Sequence, residues 1–201
     1  MPSSPKKPSP EAKRKSACLS FMRQAHKILD AEGSTPSALH ALKLKLSALA
    51  ARTELFPISD FAMPVAEGRL HPLLVEDNDG LGLHLGIGLP GKMSKPHSHS
   101  IWCITASITG KERNILWRRT DDGSKPGFAT IERIGEVLME PGHGFAMSDH
   151  DIHSQEVVGK NPSVTLALYG RAFERFPAVF WYHPEFSSVR RIPSRRGVNA
   201  A

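Results

Sequence analysis

Three histidines have the types and spacing to share one metal ion. His97 and His99 stand two apart in Pro96-His97-Ser98-His99, and His153 lies in Asp151-Ile152-His153-Ser154. Residues two apart on a β-strand point to the same face, so one short strand can offer two imidazoles to one ion. His153 comes from a later segment, as expected where two strands of a barrel meet across a metal. The residues just after His99 are Ser100, Ile101, Trp102, Cys103 and Ile104, with no carboxylate among them. The expected site is therefore three neutral imidazoles. Such a set leaves the charge of a divalent ion uncompensated and favours an anionic fourth ligand, which for a thiol means the thiolate. Three protein ligands also leave coordination positions open. His150 is the rival of His153 as third ligand; otherwise His143 and His150 read as loop residues.

The elements that must position these residues are mostly short strands. Leu81, Leu83, Leu85, Ile87 and Leu89 alternate with Gly82, His84, Gly86 and Gly88, which predicts a strand of period two. Glu76-Asp77-Asn78-Asp79-Gly80 reads as the turn before it, and the segment from Gly91 to Pro96 as the turn leading to the histidines. Further strands are predicted at 100–109, 113–119, 127–132, 136–139, 153–158 and 163–169. Many short strands separated by regular turns point to a sandwich or barrel. Two helices precede them. Leu19, Met22, His26 and Leu29 form the stripe of the first, which Gly33 stops. Thr35-Pro36 caps the second, whose stripe is Leu39, Leu42, Leu46 and Leu49. Phe56-Pro57 ends the helical part.

These residues resemble a known family. PHSHSIWCITASITG resembles the first cupin motif. Gly142, Ser148, His150 and His153 fall where the second cupin motif has glycine, proline, glycine and the ligand histidine. The glutamate ligand usual in the first motif is replaced, since its places hold Cys103 and Ile104. A three-histidine cupin preceded by two helices resembles the thiol dioxygenases, cysteine dioxygenase and 3-mercaptopropionate dioxygenase. The resemblance runs from about residue 17 to about 185. It implies a mainly β fold, a cupin jelly-roll or double-stranded β-helix barrel, with two N-terminal α-helices.

The resemblance also implies roles. His97, His99 and His153 would hold Fe(II), and the enzyme would oxidise a small thiol to a sulfinate with O₂. The family strand Ser-x-His-x-Tyr is similar to Thr165-Leu166-Ala167-Leu168-Tyr169, so Thr165 and Tyr169 carry catalytic roles over. The middle histidine of that relay is Ala167 here, a departure that bears on substrate and rate. Arg69 is the candidate for the arginine that holds the substrate carboxylate, with a surface ion pair as its alternative. Trp102 is a candidate for the pocket mouth, with packing as its alternative. Cys103 falls where animal cysteine dioxygenases have the cysteine that forms a thioether with the motif tyrosine; a free buried cysteine is the competing reading. Two further function classes stay open: a cupin that binds metal and a small ligand without turnover, and a zinc or manganese cupin isomerase or hydrolase.

Composition bounds the rest. The chain of 201 residues is long enough for one well-packed domain. Two cysteines make no disulfide framework and fit a reducing compartment. No apolar run approaches the ~18 residues of a membrane span, and no apolar segment follows the basic start, so a cytoplasmic protein is expected. The net charge of +6 is uneven. Residues 1–16 carry five Lys or Arg, one Glu and four prolines, a composition predicted to be disordered. A single domain over residues 17–201 would follow, with a helical cap over 17–55. No aromatics interleave the basic residues to stack on bases, so nucleic acid is not an expected partner, nor is a membrane. The expected partners are a small thiol and O₂, and the expected state is a monomer or homodimer.

Overall fold

The computed structural model describes residues 9–65, 68–76, 80–91, 93–172 and 175–192. Two helices open it. α1 (Pro10–Glu32) starts where the Ser9 hydroxyl accepts the Ala12 N–H, with Pro10 at the first helical position. The expectation of disorder over 1–16 does not hold for residues 10–16. Residues 10–16 are helical, because a serine cap followed by Pro-Glu nucleates the helix and Arg14 then anchors it. Its guanidinium lies 2.7 Å from the Asp60 carboxylate and over the Phe61 ring. Residues 1–8 lie outside the described residues.

α2 (Pro36–Ala50) is capped by Thr35, as the sequence predicts, and buries Leu39, Leu42, Leu46 and Leu49. The buried face of α1 is Cys18, Phe21, Met22 and Ala25, while Leu19 is 40% exposed. The expected stripe is thus rotated by about one residue, roughly 100°. Phe21 brings more apolar surface into the core than Leu19 would, and burial follows area.

Eleven strands follow among the described residues: β1 (Gly68–Val75), β2 (Gly82–Gly88), β3 (His97–Ser98), β4 (Cys103–Thr109), β5 (Glu112–Arg119), β6 (Ile131–Met139), β7 (Gly144–Met147), β8 (Ile152–Val157), β9 (Ser163–Tyr169), β10 (Val179–His183) and β11 (Ser188–Ile192). They form two antiparallel sheets, ordered β1-β2-β9-β4-β7 and β11-β10-β3-β8-β5-β6. This is the expected jelly-roll, or double-stranded β-helix, arrangement of two facing sheets, with two helices added at its N-terminal end. The strands expected separately at 127–132 and 136–139 are one strand, β6, because it pairs with β5 along its length through a single bulge. Of the expected turn at 76–80, residues 77–79 lie outside the described residues, as do residues 193–201 of the expected domain.

The first sheet has two apolar faces with different tasks. Leu83, Leu85 and Ile87 of β2, Ile104, Ala106 and Ile108 of β4, and Val164, Leu166 and Leu168 of β9 form one core with the helices. The alternate residues face the inside of the barrel, where Cys103, Met147, Ala167 and Tyr169 pack with Phe145 and Phe176. Period-two alternation thus divides each strand between a helix-facing core and a cavity wall.

Candidate metal centre

The three histidines meet at the second sheet. His97 of β3 and His153 of β8 are register partners, directly opposite each other. His99 follows β3 by one residue, just before Ser100 turns the chain with a φ of 57°. The ring centroids are 4.5 Å apart for His97 and His153, 4.9 Å for His97 and His99, and 5.2 Å for His99 and His153. One ligand nitrogen from each lies within 4.8 Å of the others. The cluster contains no carboxylate, as the sequence predicts. His150, the rival ligand, has a side chain 91% exposed and stands apart from it.

Neighbouring groups set the tautomers. The Nδ1–H of His97 donates to the Lys95 carbonyl at 2.8 Å, and the Nδ1–H of His153 donates to Asn114 Oδ1 at 3.0 Å. Both bonds leave Nε2 as the lone-pair nitrogen. Nε2 of His153 is buried and has no hydrogen-bond partner among the described residues. A buried acceptor without a donor is costly, and a metal ion at this point removes that cost. Burial holds all three imidazoles below the ordinary histidine range. The carbonyl of Lys95 partly offsets this at His97, whereas the neighbouring histidines lower His99 and His153 further. The three are therefore neutral at neutral pH, the form that binds metal. The donor set fits one divalent transition-metal ion.

A cavity of about 540 Å³ opens from the cluster into the barrel. Thr165, Ala167 and Tyr169 of β9 line it from the facing sheet. The Tyr169 ring lies edge-on to His99, with centroids 5.7 Å apart, and edge-on to Phe176 at 5.0 Å. Burial pushes the Tyr169 hydroxyl far above its usual range, with Cys103 and Glu112 adding to the shift. Cys103 is buried one row back, as the register partner of Tyr169 on β4. Burial also pushes its thiol far up, helped by Asp151.

Two expected residues sit at the edge or outside. Arg69 is exposed and borders the cavity from β1. Its register partner Ile87 buries its side chain in the helix-facing core, so Arg69 stands on the face of β1 opposite the inward-packed Leu70. Trp102 does not line this cavity. Its indole lies over Gly170, where an added Cβ would come within 2.6 Å of the ring, and it packs on the helix-side core. Three residues that sequence reasoning passed over belong to the wall: His84 of β2 and Glu112 and Asn114 of β5, all buried. Their signal was present, because His84 is the only non-glycine on its face of β2. Glu112 and Asn114 share one strand parity.

No protein-family model matches the chain, and no curated protein matches it. Among solved structures it is similar to an oxalate oxidase in complex with the substrate analogue glycolate. The identity is 16% and the TM-score 0.42, over 59% of this chain and 56% of that one. The chain thus spans little more than half the length of that protein. It is also similar to the Cupin_2 domain of an XRE family transcriptional regulator from Enterobacter cloacae, at 16% identity and a TM-score of 0.38, covering 52% of this chain and 96% of that one. An uncharacterized conserved protein with a double-stranded β-helix domain from Klebsiella pneumoniae gives 13% identity and a TM-score of 0.43, covering 69% and 90%. Likenesses at this level leave the chemistry to the residues themselves.

Proposed function

We propose that the protein is a non-haem Fe(II) thiol dioxygenase that converts a small thiol to its sulfinate with O₂. The observation that carries this reading is a set of three neutral imidazoles, with no carboxylate, facing a buried tyrosine across one cavity. His97, His99 and His153 would hold the iron. When bound, Fe(II) supplies the redox chemistry that joins a thiolate sulfur to O₂. The sulfur gives up four electrons and O₂ accepts four, so no external reductant enters. The imidazoles add no negative charge, which favours substrate as the thiolate. Tyr169 offers a hydroxyl held protonated by burial, a donor to substrate or oxygen within the cavity. Thr165, two rows along the same face, adds a second hydroxyl to that wall. Fixing both reactants in one buried site removes much of the entropic barrier to their encounter.

The test is metal analysis with an oxygen electrode. Purified protein reconstituted anaerobically with Fe(II) should hold about one ion per chain. It should consume O₂ with a small thiol such as cysteine or 3-mercaptopropionate. Both sulfinate oxygens should carry label from ¹⁸O₂. Iron binding without oxygen uptake across a broad thiol panel would favour a second reading, a cupin that binds metal and a small ligand without turnover. One observation favours that reading: Arg69, the expected carboxylate clamp, stands on the exposed face of β1.

A further inference from the structure

The inner face of β2 carries one side chain. Gly82, His84, Gly86 and Gly88 point into the barrel, and three of the four have no Cβ. His84 is 1% exposed. Its place on the sheet is set by register: it stands directly opposite Ala167 of β9, and Gly82 stands directly opposite Tyr169. The imidazole leans toward that second pair. A Cβ on Gly82 would lie 2.8 Å from His84 Cε1 and 2.9 Å from the Ala172 Cα, closer than real Cβ contacts come. Glycine at 82 therefore clears the space that the His84 ring occupies beside the tyrosine. The His84 and Tyr169 rings meet edge to face, with centroids 5.6 Å apart and planes at 74°. Alanine at 167 leaves room on the other side. The phenol is thus held between His84, His99 and Phe176, at 5.6, 5.7 and 5.0 Å between centroids.

From this geometry we propose that His84 is the positioning residue of Tyr169: its imidazole packs edge to face on the phenol and fixes the ring, so that the hydroxyl is aimed at the metal side of the cavity. A stiff neighbour that is itself packed keeps a donor in one place. The role of this contact in turnover rests on the dioxygenase reading; the contact itself does not.

The test uses the full chain and two readouts. The sequence has two tyrosines, Tyr169 and Tyr182, so protein labelled with ¹³C at the tyrosine ζ-carbon gives two resonances, assigned by Tyr169→Phe. This carbon reports the hydrogen bonding of the phenol oxygen and needs neither metal nor turnover. His84→Ala should move the Tyr169 resonance and leave that of Tyr182. The double variant His84→Ala/Ala167→His, which puts the imidazole back from directly across the sheet, should return it toward its wild-type position. The second readout is a cycle in thiol-dependent oxygen uptake. His84→Ala should lower kcat about 10- to 100-fold, with KM and iron content near wild type, and His84→Ala/Tyr169→Phe should lose no more than Tyr169→Phe alone. An unmoved Tyr169 resonance in folded His84→Ala overturns the proposal, as does a double variant whose loss is the product of the two single losses. If the wild-type protein oxidises no thiol, the dioxygenase reading fails and the resonance still decides the role of His84.

Discussion

Asn114 offers the sharpest test of how the candidate metal centre is built. Its side chain is 1% exposed, and its Oδ1 accepts the Nδ1–H of His153 at 3.0 Å. That bond selects the tautomer with its lone pair on Nε2, the buried nitrogen left without a protein hydrogen-bond partner among the described residues. Asn114→Ala leaves a buried N–H with no acceptor, a loss of about 1–3 kcal/mol. It also frees the ring to turn or to carry its proton on the ligand nitrogen. Each 1.4 kcal/mol is about ten-fold in affinity, so the loss is about 5- to 150-fold, a span that contains the roughly 10- to 100-fold found for partners of metal-ligating histidines. Asn114→Asp keeps the acceptor and adds a charge, so its affinity should equal or exceed that of the wild type. The assay is anaerobic competition of Fe(II), and separately Zn(II), against a chelator of known affinity, with thermal melts to establish that each variant is folded. A folded Asn114→Ala protein that binds both metals within about two-fold of wild type would refute the argument, because the imidazole would then need no second partner.

Other consequences can be checked with the same protein. His153→Ala should lose tight metal binding while His150→Ala keeps it, since His150 is exposed and apart from the cluster; metal content after gel filtration decides this. Glu112 is buried against the Ser163 hydroxyl, and burial raises its carboxyl above the ordinary range. The folded state then favours the acid form. That stability is complete below the unfolded carboxyl value of about 4.3 and is lost as pH rises through the raised folded value. Glu112→Gln should therefore melt higher than wild type near neutral pH, with the difference shrinking toward about pH 4. Cys103 and Tyr169 are register partners. Aerobic incubation with Fe(II) and a thiol should therefore leave a fraction of the chains lighter by a hydrogen pair, with Cys103 shielded from alkylation. The pair of electrons and protons lost in forming the C–S bond passes to O₂. Intact mass with peptide mapping reads this, and a fully alkylatable Cys103 after turnover would count against the crosslink.

The sequence by itself determined the three candidate histidines and the strands that bring them together. His97-Ser98-His99 encodes its own geometry, because strand period two is a local property of the backbone. The alternation of β2 and the caps at Thr35-Pro36 and Gly33 are local in the same sense. What lies across the sheet is not local. The sequence marks β2 as alternating but does not say which parity meets the helices, and the helices settle it by covering the leucines. Only then does the remaining face, with His84, Gly86 and Gly88, become cavity wall. Read along β9, Ala167 looks like a histidine lost from a relay; in the folded barrel an imidazole stands opposite it, from a strand some eighty residues earlier. Arg69 and Trp102 show the converse. Each has chemistry suited to a pocket, yet pairing to Ile87 puts one on the outward face of β1 and packing over Gly170 puts the other against the helix-side core. Residue type states what a side chain can do, and local periodicity states which neighbours share its face. Which face encloses the site depends on long-range pairing and on what buries the most apolar surface, and those are decided by the whole chain at once.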